Sequence, residues 1–150
     1  MAEVVIAGIG QTPVGEHWDI SLRTLAARAM QAARRDAGGI VPQALYIGSF
    51  LSSTVSHQAN LGALLTGNAG LEGVEGITVE AAEASGAAAF NLAYMAVSSG
   101  LVDSALVVGV EKYTDVVGSR LDSAVAEMVD YDYEAVNGVT PAAQAGLVMQ

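Results

Sequence analysis

The stretch from Ala84 to Val102 most limits how this chain folds, because it contains no charged residue. Its small and apolar side chains are typical of a buried helix, while its serines, glycines and asparagine make it too polar for a membrane span. Short apolar runs flank it at 77–79 and 105–110. A strand, a helix and a strand of these lengths predict a right-handed crossover between parallel strands. We therefore expect an α/β fold with a mainly parallel sheet and a buried central helix.

Two further apolar runs precede this unit. Val4–Gly8 is rich in β-branched residues and ends in glycine, so we predict it to be the first strand, buried on both faces. Ala44–Ser49 is predicted to be the second strand, and leucines at helical spacing between 61 and 65 predict a short helix after it. The alternation predicts a βαβαβ arrangement.

The helix between the first two predicted strands has clear boundaries. Leucines, alanines and a methionine recur at helical spacing between residues 22 and 33, opposite arginines and a glutamine. Ser21 or Asp19 can cap its start, and Gly38 and Gly39 can supply the left-handed residue that ends it. An amphipathic helix is therefore expected. Pro141 is predicted to open another helix near the end of the chain.

Charge and composition exclude several functions. Sixteen acidic and six basic residues give a net charge of −10, which repels nucleic acid and anionic membrane surfaces. The chain has no cysteine, so it can form no disulfide, no zinc–thiolate site and no thiolate nucleophile. Its N-terminus lacks the basic region of a signal peptide, so we expect a cytoplasmic location.

Three weaker patterns do not predict binding sites. Gly8–Gly10 lacks the third glycine and the immediate helix of a dinucleotide-binding fingerprint, so we interpret it as a turn. His17 and His57 lie in turn-rich segments without the spacing of metal ligands. The alternating acidic residues at 130–134 lack the glycine and the distal glutamate of a calcium loop. We therefore expect no metal site.

The sequence VEAAEASG at residues 79–86 resembles the nucleophile region of thiolases, especially the sterol carrier protein type, where the pattern is VEAACASG. Supporting matches are AGIGQTPVG near the start, SLRTLAARAMQAARRDAG in the first helix and GVEKYTD after the last predicted strand. The similarity spans nearly the whole chain. In this resemblance Glu83 occupies the position of the family's nucleophilic cysteine.

The resemblance implies the thiolase fold, with residues 1–115 as the N-terminal βαβαβ core and 116–150 as the start of an acidic loop or insert region. The C-terminal half of the fold, which supplies a catalytic histidine and much of the coenzyme A contact surface in the family, is absent from this sequence. Thiolases dimerise through the strand before the nucleophile. The implied homodimer interface is therefore the strand around Ile77, Thr78 and Val79.

The implied substrate is a coenzyme A thioester, and no cofactor is expected to be bound by this chain. Without cysteine, the chain cannot form an acyl-enzyme. Glu83 then becomes the candidate base for making or breaking a carbon–carbon bond, for example by retro-aldol cleavage. Some relatives of this kind resemble steroid side-chain aldolases that act with a zinc-ribbon and OB-fold partner protein. The chain alone is not expected to be active.

Other interpretations of Glu83 stay open. A glutamate in the first turn of a helix also stabilises the helix dipole without any catalytic role. The chain would then be a non-catalytic scaffold subunit that supports an active paralogue. A third interpretation is a cysteine-substituted form or fragment of an ordinary acetyl-CoA acetyltransferase.

Overall fold

The fold is built on a three-stranded parallel sheet. The computed structural model describes residues 3–149. The strands are β1 (Ala44–Gly48), β2 (Glu75–Val79) and β3 (Ala105–Gly109), in the spatial order β2-β1-β3. β1 pairs in parallel with both neighbours, Ala44 lying opposite Glu75 on one side and Ala105 on the other. The predicted α/β fold with a parallel sheet is confirmed.

Within residues 3–149, five α-helices precede, connect or follow these strands. They are α1 (Leu22–Asp36), α2 (Leu61–Asn68), α3 (Ser85–Ser98), α4 (Ser119–Val125) and α5 (Pro141–Val148). Single 3₁₀ turns lie at Ala82–Ala84, Tyr113–Asp115, Ala126–Met128 and Ala135–Asn137. None of the helices in the described part of the chain is long and apolar enough to cross a membrane.

The core lies on both faces of β1, which is buried at every position. On one face, Leu45 and Ile47 pack with buried residues of α1 and α2, among them Met30 and Leu65. On the other face, the residues that pack together are Tyr46, Ala44, Ala89, Ala93 and Ala96. The alternation of β1 side chains between the two clusters is the expected pleat of a strand. Helices thus cover the sheet on both sides.

The predicted boundaries of α1 are confirmed. The Ser21 side chain accepts a hydrogen bond from the Thr24 amide at 3.2 Å, which caps the helix. Gly38 and Gly39 follow the helix with φ values of 71° and 84°, the left-handed conformation that favours glycine. At α5, Thr140 is the cap and Pro141 the first helical residue, as the sequence predicts.

The predicted first strand is wrong. Val4–Gly8, called here the N-terminal run, forms no strand, and Val5 and Ile6 are 73% and 71% exposed. A Cβ on Gly8 would lie 2.5 Å from the Ala37 nitrogen, so the run packs closely against α1. The physical reason is that a strand needs a hydrogen-bonding neighbour, and within residues 3–149 the run has none. The observed sheet has three strands where the sequence predicts four.

The predicted central helix is present as α3, and its burial is one-sided. Ala89, Ala93 and Ala96 are buried against the sheet. The opposite side of α3 exposes Phe90, Tyr94 and Met95. The uncharged composition of α3 therefore exceeds what its contacts within this chain require.

Residues 116–149 form short helical turns beside the sheet. Ala124 of α4 is buried in a small cluster with Leu51 and Val55, which follow β1. The side chains of α5 are exposed or half-buried. This part of the chain is attached to the core chiefly through α4.

Candidate functional site

Polar side chains follow all three strands at one edge of the sheet. Ser49 comes directly after β1, Glu80 after β2, and Glu111 two residues after β3. Because the strands are parallel, their carboxyl ends meet at the same edge, where α/β proteins commonly place binding sites. The Ser49 amide donates to the Val79 carbonyl at 3.2 Å, which links the ends of β1 and β2. We call this region the carboxyl edge.

The turn between β2 and α3 is strained. Ala82 has a φ of 47°, which a residue with a Cβ rarely adopts. The Glu80 carboxylate accepts a hydrogen bond from the Ala82 amide at 2.5 Å. The Ser85 hydroxyl accepts from the Ala81 amide at 2.9 Å and donates to the Ala82 carbonyl at 2.6 Å. These contacts fix a conformation that costs of order 1–3 kcal/mol, and such strain is concentrated at functional sites.

Glu83 lies in this turn, immediately before α3. It is exposed, and within residues 3–149 its carboxylate accepts no hydrogen bond. Its place in the 3₁₀ turn at the start of α3 puts a negative group near the positive end of the helix dipole. The carboxylate is free to meet a ligand or another polypeptide.

A close backbone contact sets the position of the turn relative to the sheet. A Cβ built on Gly48 would lie 2.6 Å from both the Gly86 Cα and the Ser85 carbonyl oxygen. Only glycine at the end of β1 permits this approach. The start of α3, with Glu83 beside it, is consequently held against the central strand.

A second carboxylate at the carboxyl edge has a structural role. Glu111 accepts hydrogen bonds from the Phe50 and Leu51 amides, both at 2.9 Å, and from the Ser49 hydroxyl at 3.3 Å. It thereby fixes the chain that leaves β1. The sequence singles out Glu111 only as part of GVEKYTD, because no local pattern reveals a partner sixty residues away.

Lys112, the residue after Glu111, is a buried cation. It is 6% exposed, donates from Nζ to the Ile20 carbonyl at 2.6 Å, and pairs with Asp115 at 2.7 Å. The bond to Ile20 ties the segment before α1 to the end of β3. A buried lysine needs such partners, because an unpaired charge in the interior is costly. The contacts of Lys112 with Ile20 and Asp115 compensate its buried charge without a ligand.

The other residues considered from the sequence make local contacts or face solvent. His17 bonds the Pro13 carbonyl at 2.8 Å, whereas His57 is exposed. Asp130 and Glu134 accept from backbone amides within residues 130–134, so their alternation shapes a turn. The part of the chain that the structure describes contains no cluster of three or more potential metal ligands.

Two of the surface cavities formed by residues 3–149 lie away from Glu83, which lines neither of them. The first, of about 340 Å³, lies between α4 and the chain after β1, where the Thr54 hydroxyl donates to Glu127 at 2.9 Å. The second, of about 390 Å³, lies between residues 12–17, α1 and the chain after β3. Glu83 itself is exposed at the start of α3.

Fold and site together define an α/β protein that presents one side chain from a strained turn between a strand and a helix. The family model described as "Thiolase, N-terminal domain" matches residues 4–149. The chain belongs to this family.

The sequence is also similar to that of acetyl-CoA acetyltransferases and a thiolase subunit. An acetyl-CoA acetyltransferase of Methanothermobacter thermautotrophicus is 39% identical over 142 residues, covering 93% of this chain and 37% of the relative. The acetyl-CoA acetyltransferase of Methanocaldococcus jannaschii is 38% identical over 144 residues, covering 93% and 36%. A benzoylsuccinyl-CoA thiolase subunit of Thauera aromatica is 35% identical over 116 residues, covering 75% and 29%. The chain thus spans only 29–37% of the length of these three relatives.

A solved structure shows the same fold. The 3-oxoacyl-[acyl-carrier-protein] synthase III of Aquifex aeolicus superposes with a TM-score of 0.59 at 19% identity. The match covers 67% of this chain and 32% of that protein. It confirms the predicted thiolase-type fold.

Proposed function

We propose that this chain is the N-terminal part of a thiolase-like protein of the sterol carrier protein type, which handles acyl-CoA thioesters without a cysteine acyl-enzyme. The observation that carries the proposal is the position of Glu83. It lies in the strained turn before α3, within VEAAEASG, where the resemblance puts a cysteine. The relatives described above include an acetyl-CoA acetyltransferase and a benzoylsuccinyl-CoA thiolase subunit, both named for a coenzyme A thioester.

The proposed chemistry is the making or breaking of a carbon–carbon bond with Glu83 as the base. A carboxylate is a weak nucleophile toward a thioester, so attack by Glu83 is disfavoured. As a base, it takes the proton of a substrate β-hydroxyl, the bond between the α- and β-carbons breaks, and a carbonyl product leaves. The remaining thioester enolate then takes the proton back at its α-carbon. The step balances without a cofactor, and a coenzyme A thioester is the substrate.

A complete site requires polypeptide beyond this chain. Residues 1–115 would be the N-terminal core and residues 116–150 the start of a loop or insert region. A C-terminal thiolase half would cover the exposed Glu83. A zinc-ribbon and OB-fold protein is a further proposed partner, and a cytoplasmic location stays a prediction. The net charge of −10 repels an anionic coenzyme A. Its binding would therefore depend on local groups and on the other polypeptide.

We also propose a homodimer through β2. This strand is at one edge of the sheet and pairs only with β1 among the described strands. Ile77 is 38% exposed, and Thr78 and Val79 are exposed and half-buried respectively. An open strand edge with apolar side chains favours pairing with a second copy.

The test uses the assembly purified from its source, with Glu83→Gln compared against wild type. Glutamine keeps the size and polarity of the side chain but cannot accept the proton. We expect carbon–carbon cleavage of a β-hydroxyacyl-CoA to fall roughly 10²–10⁴-fold, the usual contribution of a positioned base. Glu72→Gln, at an exposed glutamate before β2, is the matched control and should leave the rate unchanged. Unchanged cleavage by Glu83→Gln would exclude Glu83 as the base.

A scaffold role is the second candidate, and the solvent exposure of Glu83 favours it. In that case, the chain supports an active paralogue, and Glu83→Gln changes neither the rate nor the assembly. The third interpretation, a substituted form of an ordinary acetyl-CoA acetyltransferase, is separated by Glu83→Cys. A gain of acetyl transfer and of a covalent acyl adduct would support that interpretation, whereas no gain indicates that the surrounding site has also diverged.

A further inference from the structure

Among the asparagines of the sequence, Asn137 alone is followed by glycine. Asn137 and Gly138 are both exposed. They end a segment at residues 130–138, which we call the acidic turn and which leads into α5. Gly138 has a φ of 78°, a left-handed conformation that glycine adopts without strain. The pair therefore lies at the surface, at a point where the backbone changes direction.

Asparagine is a thermolabile residue, and this pair can react without an enzyme. The backbone nitrogen of Gly138 loses its proton to water and attacks the Cγ of Asn137. The bond between that nitrogen and Cγ forms, the bond between Cγ and Nδ2 breaks, and ammonia leaves with a proton from solvent. The cyclic succinimide that results takes up water, which opens it at either carbonyl. The products are aspartate and isoaspartate, and in isoaspartate the main chain runs through the side-chain carboxyl carbon.

The glycine after Asn137 favours this attack, because a Cβ on the following residue hinders the approach of its nitrogen to Cγ. Asn68 is the matched comparison within the chain. It is also exposed and ends a short helix, and the next amide, that of Ala69, donates to a carbonyl of α2 at 2.9 Å. The Gly138 amide likewise donates to a carbonyl of the 3₁₀ turn before it at 3.0 Å. The two sites thus differ chiefly in the side chain that follows the asparagine.

Local opening of the acidic turn is required before the nitrogen can attack. The Nδ2 of Asn137 donates to the Tyr133 carbonyl at 2.9 Å, and the hydrogen bond of the Gly138 amide must break as well. Within residues 130–138 no residue is buried, and only Glu134 and Ala135 are half-buried. A segment with few buried contacts and exposed hydrogen bonds opens at a low cost in free energy. The contacts of the acidic turn therefore slow the reaction without preventing it.

We propose that Asn137 is a site of spontaneous deamidation and that the product loosens the turn that leads into α5. An aspartate at this position has no amide hydrogen to donate to the Tyr133 carbonyl, and its carboxylate would face that carbonyl oxygen. Isoaspartate also adds an atom to the main chain three residues before Thr140, whose side chain caps α5 by accepting from the Ala143 amide at 3.2 Å. The proposal does not depend on the catalytic role proposed above.

The test is peptide mass spectrometry of the protein purified from its source and incubated in mildly alkaline buffer, with samples taken over time. Deamidation adds about 1 Da, which fragmentation assigns to a single residue. We expect the gain at Asn137 to be at least about 10-fold faster than at Asn68 in the same sample, because only Ala69 carries a Cβ. Isoaspartate should appear with aspartate, since both come from the succinimide. Equal rates at the two asparagines, or aspartate without isoaspartate, would overturn the proposal.

Two variants separate the chemistry from its structural effect. Asn137→Gln keeps a side-chain amide but would have to close a larger ring, so the gain in mass at this residue should be lost. Asn137→Asp carries the charge of the product, and hydrogen exchange of the α5 amides should become about 10-fold faster, with β1 as the internal reference. Asn137 is exposed, so neither variant is expected to unfold the core. Unchanged α5 exchange in Asn137→Asp would contradict the loosening, and an undiminished gain in mass in Asn137→Gln would contradict the site.

Discussion

β1 and the N-terminal run begin from nearly the same sequence pattern and reach opposite environments. Both are five-residue apolar runs that end in a glycine, Gly48 in one and Gly8 in the other. β1 is buried at every position, whereas Val5 and Ile6 of the run are more than 70% exposed. Each terminal glycine packs against a helix backbone. The two segments differ because β1 has a strand on either side. An apolar pattern therefore shows that a segment can be buried, and its neighbours in the fold decide whether it is.

The largest expected difference between the two segments is in the cost of truncation. Ile47→Ala removes a fully buried side chain from β1 and should lower the free energy of unfolding by about 2–5 kcal/mol. Ile6→Ala should change it by less than about 0.5 kcal/mol, because that side chain already faces solvent. Urea unfolding of this chain, followed by far-UV circular dichroism, measures both. Equal costs would contradict the difference in burial.

The glycine at the end of β1 gives the next largest effect. Gly48→Ala puts a Cβ 2.6 Å from the start of α3 and should cost about 1–3 kcal/mol, because backbone must move. Gly86→Ala is the matched control, since a Cβ there meets nothing within 4 Å, and it should stabilise by up to about 1 kcal/mol. Thermal unfolding of the two variants should shift in opposite directions.

The carboxylates that hold the ends of the two segments should differ less in their contribution to the free energy of unfolding. Glu111→Gln weakens charge-assisted hydrogen bonds at the end of β1 and should cost about 1 kcal/mol. Asp36→Asn weakens a single exposed bond to Ile9 and should cost less than about 0.5 kcal/mol. A larger effect for Asp36→Asn would show that the N-terminal run contributes more to stability than its exposure indicates.

The smallest effect on stability is expected at Gly10. Gly10→Ala would push the end of the N-terminal run off α1, because its Cβ would lie 2.2 Å from the Ala33 nitrogen. The Ile9 amide should then exchange faster, with the overall free energy of unfolding changed by less than about 0.5 kcal/mol. Gly67→Ala, in open space on α2, should leave Ile9 exchange unchanged. Unaltered Ile9 exchange in Gly10→Ala would mean that the contact does not hold the run.

The sequence predicts most of the fold because its signals are local. Ser21 caps α1, Gly38 and Gly39 end it, and the apolar runs of β1 and β3 form strands as predicted. The N-terminal run is mispredicted because strand formation depends on a neighbour that periodicity does not reveal. The one-sided burial of α3 is not predicted either, because an uncharged composition does not reveal which side of a helix packs against the sheet.

The candidate site is predicted only in part. Glu83 is identified through VEAAEASG, and the structure puts it in the turn before α3. The strained φ of Ala82 and the hydrogen bonds of Glu111 are not predicted, because each depends on tertiary contacts. The role of Gly8 and Gly10 is also missed, since a turn was the simplest interpretation and close packing on α1 is the observed reason for both.

We propose that other polypeptide completes a site around Glu83. Native mass spectrometry of the untagged protein from its source is the decisive experiment for this proposal. We expect a complex heavier than any assembly of 15.2 kDa chains alone, or a single chain longer than this sequence. A stable assembly made only of 15.2 kDa chains would rule out the proposed completion and favour a scaffold without catalytic function.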